Sequence, residues 1–208
     1  MRNSIIVVAF FIMGCWTGTK NIFNFDTHQI SMYILYALML QVGIGIGSNK
    51  NIKTMFSTLQ WKMLLIPMGT IVGTLFFSAI ASLLITQWNV FDCMAVGSGF
   101  AYYSLSSILI TQFKTASIGL QLATELGTIA LLANIFREMM ALIGAPLIHK
   151  YFGKTATISA AGVNSMDIVL PAITRYSGND MMPIAILHGI LIDLSVPFFV
   201  SFFCSLSA

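Results

Sequence analysis

Long apolar stretches separated by short polar connections dominate this chain. A membrane-spanning helix needs about 20 apolar residues, and stretches of suitable length lie at 3–19, 30–47, 62–86, 118–149 and 182–206. The longest polar connection covers only about 48–61. The pattern predicts an all-α integral membrane protein with five full transmembrane helices, in which residues 1–208 form a single domain.

Two further apolar stretches, 91–113 and 156–175, are interrupted by glycine and polar residues. In a membrane, non-helical backbone is tolerated only where it is buried in protein or lines a wet cavity. Inverted-repeat transporters build a midplane site from two interrupted segments that enter from opposite faces. We therefore expect two re-entrant segments and an inverted repeat. The alternative is a pair of ordinary helices packed through small residues.

The stretch 118–149 is too long for a simple span. As one helix it would measure about 48 Å, more than the hydrocarbon core of about 30 Å. It must therefore tilt, project or break, and Gly127 is a candidate position for a break.

Composition supports the membrane assignment. The chain is 57% hydrophobic and 8% charged, whereas soluble domains are about 25% charged. This excludes a disordered chain, a soluble nucleic-acid-binding protein and a disulfide scaffold. The widely spaced Cys15, Cys93 and Cys204 predict apolar packing, with no metal site or cofactor. A signal peptide ending near Cys15 is the alternative to a first span, which the continuing apolar run favours.

Lysine and arginine concentrate on the cytoplasmic side of membrane proteins. If 91–113 and 156–175 re-enter and the N-terminus is inside, seven basic residues outside the spans lie inside and two outside. If every stretch crosses, the division is six against three. Re-entry is favoured, with the N-terminus inside, the C-terminus outside, and Lys114 counted in an outer connection.

Ionisable side chains at membrane depth are costly and usually functional. Arg137 and Glu138 adjoin in the long helix, where Asn134 shares the face of Glu138. Arg137 points elsewhere, toward an acid in another segment, and a structural ion pair between helices is the alternative. Glu125, nearer the outer interface, fits an ordinary interfacial charge as well as a functional one.

Asp167 lies in an interrupted segment shortly after Asn164 and Ser165. It is suited to a cation in a cavity, whereas a helix cap formed by Asn164 or Ser165 is the alternative reading. His188 and Asp193 lie in the last span, about 140° apart around the helix. A set of His, Asp and Glu residues in a membrane suits a proton relay.

Enzyme motifs are absent from the sequence, including HExxH, G-x-S-x-G and the P-loop. An intramembrane hydrolase built from Ser165, His188 and Asp193 is an alternative that nothing in their spacing requires. We expect a protein that is not an enzyme.

Several strings resemble the lysine exporter LysO family, in order along almost the whole chain. They are VGIGIG at 42–47, GSGFAYYSLS at 97–106, ELGTIALLAN at 125–134 running into Arg137–Glu138, and SMDIVLP at 165–171. The chain departs from the family where GVN at 162–164 replaces a common Gly-Ala-Thr, and at Tyr102, where a tryptophan is usual.

The resemblance implies export of L-lysine, and of toxic lysine analogues, across the cytoplasmic (inner) membrane. It also implies that Glu138 matches an acid important for transport. Full-length members carry about three further N-terminal spans. The resemblance therefore leads us to expect a small membrane subunit that supplies the missing spans, and it leaves a homo-oligomer open.

A lysine site needs carboxylates for ammonium groups and donors for the substrate carboxylate. The expected substrate-binding residues are Glu138, Asn134, Asp167, Ser165, Asn164, Ser104, Ser106 and Tyr103. Coupling to H⁺ or Na⁺ is expected to involve Glu138, Asp193, His188, Arg137 and Glu125. The alternative in a different class is a membrane scaffold subunit that transports nothing.

Overall fold

A computed structural model describes residues 61–207 and the isolated positions 16, 33, 40 and 44. The chain divides into two compact units, Met1–Val42 and Gly43–Ala208, and the architecture below concerns the second. The predicted spans at 3–19 and 30–47, apart from those isolated positions, lie outside the described residues. Cys15 lies outside them as well.

Every regular element between residues 61 and 207 is helical, as predicted. The α-helices, numbered α1 to α7 in chain order, are Trp61–Ala81, Val90–Gly97, Tyr103–Ile118, Leu120–Phe152, Lys154–Ala161, Leu170–Ser177 and Met182–Leu206. Within this part of the chain, three segments are long and apolar enough to cross a membrane: Met63–Ala81, Leu120–Phe152 and Asn179–Leu206. They correspond to three of the predicted spans, and the total of five stays a prediction.

The first interrupted stretch forms a hairpin of α2 and α3. Between them lies tip A, residues 98–102, where Phe100 and Ala101 adopt positive φ angles of 45° and 74°. Asp92 near the start of α2 and Lys114 near the end of α3 form an ion pair of 3.0 Å. In one continuous helix these two residues would lie about 33 Å apart. The arms therefore begin and end at the same side, and we call α2–α3 hairpin A.

The second interrupted stretch forms hairpin B, from α5 and α6. Its tip B, residues 162–169, begins with a short 3₁₀ turn over Gly162–Met166. Where the arms meet the connections, Lys154 Nζ lies 3.2 Å from Asp180 Oδ2. Slightly deeper, the hydroxyls of Thr157 and Ser177 are 2.9 Å apart. Hairpin B therefore also returns to its starting side.

The long helix α4 connects the open ends of the two hairpins, which lie at its opposite ends. It runs unbroken for 33 residues, about 50 Å, from the open end of hairpin A to the open end of hairpin B. Of the three alternatives expected for this stretch, tilting, projecting or breaking, a break at Gly127 does not occur. A Cβ atom there would lie 2.1 Å from Thr111 Oγ1, so the glycine allows α3 to pack closely on α4.

Apolar packing fixes hairpin B against α4 and α7. The buried side chains of this apolar cluster are Ala141, Ile158, Ala161, Val169, Ile173 and Ala185. Helix α1, by contrast, exposes large apolar side chains such as Leu65, Val72 and Phe77. Such a surface suits contact with lipid, as expected for a spanning helix.

Lys114 lies within α3, so its predicted place in a connection is wrong, whereas its side of the membrane stays a prediction. Its side chain is fully buried, and besides Asp92 it donates to the backbone oxygen and hydroxyl of Ser207, at 2.7 and 3.0 Å. The sequence places Lys114 close to a connection, but the carboxylate and the end of α7 replace water around its ammonium group.

We expect Lys114→Met to lower the free energy of unfolding by about 3–5 kcal/mol, because it leaves the buried Asp92 without its partner. Lys154→Met breaks the matched but exposed pair and should have little effect. Denaturant titration of the purified protein in detergent measures both changes. Equal losses for the two variants would contradict the difference assigned to burial.

Candidate functional site

The two tips meet backbone to backbone beside the middle of α4. The Val163 N–H donates to the Phe100 carbonyl at 2.9 Å. Gly162 has a φ of 60°, and a Cβ atom there would lie 2.2 Å from the Phe100 oxygen. Only glycine therefore permits this approach, which joins hairpin A to hairpin B.

Asn134 on α4 satisfies the broken backbone of tip A. Its Oδ1 accepts from the Ala101 N–H at 2.7 Å. Its Nδ2 donates to the Val96 carbonyl at 3.2 Å and to the Ala130 carbonyl at 2.8 Å. The buried Ser106 hydroxyl lies 3.4 Å from the same amide. Asn134 and Ser106, both predicted to bind substrate, thus hold tip A.

Asn164 in tip B joins three elements. Its Nδ2 donates to Glu138 Oε2 at 2.7 Å and to the Ala101 carbonyl at 3.3 Å. Asn134 and Glu138 share one face of α4, as predicted, and each serves a different tip. Neither Asn164 nor Ser165 caps α6, which has no side-chain cap, so the capping alternative is wrong.

Arg137 does not point to an acid among the described residues, contrary to the prediction. Its Nε and Nη2 donate to the carbonyls of Ala160 and Ser159 at 3.2 and 3.1 Å, and its Nη1 donates to the Thr74 hydroxyl at 3.2 Å. Those carbonyls end α5, where the helix breaks and leaves its last acceptors unpaired. Because a cation also suits the negative end of a helix dipole, Arg137 stabilises the broken end of α5.

Acidic side chains gather on the open side of the tips. Asp167 is exposed and follows tip B's Asn164, and it interacts electrostatically with both Glu138 and Asp193. Tyr103, at the start of α3, lies in the field of Glu138 and Asp167. The partly exposed Ser104 is the next residue of α3. Asp167, Tyr103, Ser104 and Glu138 are thus the predicted site residues near the tips whose side chains are at least partly exposed.

His188 and Ser165 belong to a different, buried arrangement. The His188 Nδ1 lies 3.0 Å from Ser165 Oγ, and its Nε2 lies 2.9 Å from Thr70 Oγ1. The hydrolase reading requires Asp193 at the second imidazole nitrogen, which Thr70 occupies instead. Ser165 is fully buried and donates to the Ala185 carbonyl, so the contact ties tip B to α1 and α7.

Glu125 lies far from the tips. Its carboxylate accepts a hydrogen bond from the Gln87 amide at 3.1 Å, in an exposed position near the open end of hairpin A. Asp193 and His188 do not form one site, as predicted. The free Cys93 and Cys204 are buried packing residues, also as predicted.

Sequence reasoning missed Asp92, Lys114 and Thr70. Asp92 and Lys114 flank the interrupted stretch 91–113, and opposite charges at the two ends of a suspected hairpin are a usable signal. Nothing in the sequence marks Thr70 as a site residue, because a single threonine in an apolar span is common. Among the described residues, no three His, Cys, Asp or Glu side chains converge closely enough to hold a metal ion.

Comparison with known proteins identifies related sequences. The family model for the lysine exporter LysO matches residues 8–204. The lysine exporter LysO of Escherichia coli K12 is 31% identical over 176 residues, which cover 84% of this chain and 55% of that protein. A Haemophilus influenzae protein, named as a proposed lysine exporter, is 29% identical over 178 residues, with 84% of each chain covered. The chain thus spans about half of the first relative's length. No solved structure matches it.

Gly162→Ala should destabilise the protein more than Gly153→Ala does. Both glycines have positive φ angles, so each substitution strains the backbone by about 1–3 kcal/mol. Only at Gly162 does the new Cβ also meet a backbone oxygen, whereas nothing lies within 4 Å at Gly153. Thermal unfolding of the purified variants compares them, and similar midpoints would argue against a tight contact between the tips.

Proposed function

The chain belongs to the lysine exporter LysO family, and we propose on this premise that it exports L-lysine, and toxic lysine analogues, across the cytoplasmic membrane by secondary active transport. The observation that supports this most directly is the placement of Glu138 and Asp167 on an accessible face where two broken helices meet. Carboxylates at such a point suit the ammonium groups of lysine.

The proposed substrate site separates residues that contact lysine from residues that hold the tips. Glu138, Asp167, Tyr103 and Ser104 are at least partly exposed and bind the substrate. The buried side chains position the backbone around it: Asn134, Asn164, Ser106 and Ser165.

The start of α3 is suited to the substrate carboxylate. Helix N-termini carry unpaired N–H groups and a partial positive charge, and the residue before α3, Tyr102, provides no side-chain cap. The helix begins beside Tyr103, Ser104 and the acidic face. Lysine would then place its carboxylate at α3 and an ammonium group between Glu138 and Asp167.

Export of lysine requires a source of energy. Lysine carries a net positive charge, and moving it out against an inside-negative potential costs about 2.3 kcal/mol per 100 mV. We propose exchange for an inward H⁺ or Na⁺. Asp193 and His188 are buried on α7 and are the candidates for coupling. Arg137 positions α5, and Glu125 lies near the open end of hairpin A.

The basic residues favour a cytoplasmic position for the open end of hairpin B. Lys150, Lys154 and Arg175 all lie near that end, and the positive-inside rule favours the cytoplasm for them. Lys114 no longer counts against this orientation, because it is buried in an ion pair. The C-terminal end of α7 then lies on the outer side of the membrane. In a cell with two membranes, that membrane is the inner one.

The proposal also includes protein partners. The chain spans 55% of the length of the Escherichia coli relative, and we propose a small membrane subunit as a partner. Self-association into a homo-oligomer is compatible with the exposed apolar faces of α1 and α4.

Glu138→Gln should reduce lysine efflux from preloaded vesicles at least tenfold, because it removes the charge proposed to bind the ammonium group. Asp180→Asn is the matched control, since it neutralises an exposed acid away from the tips, and it should export normally. Efflux of labelled lysine measures both. Normal export by Glu138→Gln would refute the role of this acid.

A cysteine at Ser104 distinguishes a transporter from a scaffold subunit. In a protein whose native cysteines are replaced, Ser104→Cys should react with an aqueous thiol reagent, and lysine should slow that reaction. Leu132→Cys, on an exposed apolar face of α4, is the control that lipid should protect. A Ser104→Cys that does not react would favour a dry scaffold.

A further inference from the structure

We propose that His188 on α7 is a positioning residue for lysine binding, because it holds the part of tip B that orients the carboxylate of Glu138. The inference rests on the proposed function, in which Glu138 binds the substrate ammonium. It gives His188, so far a candidate for coupling, a role in the affinity for lysine.

His188 lies at a buried junction of three elements. It is 1% exposed, and Ser165 in tip B and Thr70 on α1 are 0% and 5% exposed. Its Nδ1 lies 3.0 Å from the Ser165 hydroxyl, and its Nε2 lies 2.9 Å from the Thr70 hydroxyl. The imidazole also interacts with the backbone of Gly162, at the start of tip B. One side chain of α7 thus contacts tip B on one side and α1 on the other.

The two hydroxyls give a neutral imidazole a partner at each ring nitrogen. In the neutral ring one nitrogen donates and the other accepts, and a hydroxyl can do either. The Ser165 hydroxyl also reaches the Ala185 carbonyl, at 2.9 Å. The Thr70 hydroxyl reaches the Ile66 carbonyl, also at 2.9 Å. Either tautomer is therefore satisfied, and the ring has a fixed orientation without taking up a charge.

A second contact fixes the same part of tip B against α7. A Cβ atom on Gly189 would lie 2.7 Å from the Cβ of Met166 and 3.0 Å from its backbone nitrogen. These two residues directly follow His188 and Ser165, so the close approach and the polar contact adjoin. The close approach limits how near tip B comes to α7. The hydrogen bond to the imidazole is directional, so it limits sideways movement of the tip.

Ser165 transmits this position to Glu138 through its neighbour Asn164. Both tip residues belong to the 3₁₀ turn Gly162–Met166, and the Asn164 carbonyl accepts from the Val169 N–H at 3.0 Å. The Asn164 amide donates to Glu138 Oε2 at 2.7 Å. Ordering a flexible glutamate side chain during binding costs free energy. A hydrogen bond that orders Glu138 beforehand therefore raises the affinity for lysine.

Asparagine and glutamine separate the two contacts of the imidazole. The amide of asparagine lies near the position of Nδ1 and that of glutamine near Nε2, and both amides donate and accept. His188→Asn therefore keeps the contact with Ser165. Thr70 then retains its bond to the Ile66 carbonyl. His188→Gln keeps the Thr70 contact instead, and it leaves Ser165 with the Ala185 carbonyl alone.

The test measures the dissociation constant for labelled lysine and the thermal unfolding midpoint of each variant, purified in detergent. His188→Gln should weaken lysine binding about tenfold, because Glu138 must then be ordered during binding. His188→Asn should rescue the affinity to within about threefold of the wild type. His149→Gln is the matched control, because His149 Nδ1 lies 3.3 Å from the Ser177 hydroxyl of hairpin B, away from the tips. It should bind lysine as the wild type does.

A double-mutant cycle shows whether the effect passes through Asn164. Asn164→Ala removes the bond to Glu138 directly, so adding His188→Gln to it should cause less than about a further threefold loss of affinity. Additive losses would overturn the proposal, and so would equal losses for His188→Gln and His188→Asn.

A purely structural role predicts a lower unfolding midpoint with unchanged lysine affinity of the folded protein, and that result for His188→Gln would also overturn the proposal. A wild type that binds no lysine would instead contradict the proposed function, and the inference would fall with it. If His188→Gln does not fold, Ser165→Ala takes its place, because it removes the same contact with a smaller change. Wild-type affinity in Ser165→Ala would then count against His188.

Discussion

The need to pair backbone polar groups where two helices break controls the centre of this protein. An interrupted helix leaves carbonyl and N–H groups without partners, and each is costly to bury among apolar side chains. Asn134 forms hydrogen bonds with the backbone groups of tip A, and Arg137 donates to the carbonyls at the end of α5. Asn164 links tip B to tip A and to Glu138. The concentration of polar residues in the middle of α4 follows from this requirement, because α4 passes both tips.

The same requirement produces the candidate site. Once the buried amides and the guanidinium are used on backbone groups, the carboxylates of Glu138 and Asp167 are left facing accessible space. Glu138 is held in place by a single hydrogen bond from Asn164, which fixes its position without neutralising its charge. Structural support and a negatively charged surface thus arise from neighbouring residues on one helix face.

Sequence reasoning reached the interrupted segments because glycine, proline and polar residues inside apolar stretches are rare and have a physical cost. It also predicted the shared face of Asn134 and Glu138, and it named Glu138 and Asp167 as candidates whose role stays a prediction. It was wrong about Arg137 and Lys114, because both assignments depend on which distant groups approach these two side chains. Helix periodicity says which way a side chain points on its own helix, but a carbonyl acceptor on another helix leaves no mark in the sequence. The contact of Thr70 with His188 was hidden for the same reason.

At the open end of each hairpin an aspartate and a lysine form an ion pair, and the two pairs differ in burial. Hairpin A and hairpin B each join their arms through one aspartate and one lysine, with the order of the two reversed along the chain. The pair in hairpin A is buried, whereas both side chains in hairpin B are more than half exposed. Separating charges in a low-dielectric interior costs far more than separating them in water. Hairpin A is therefore the more firmly closed of the two, and the resistance to opening differs between the ends of the molecule even though their architecture is alike.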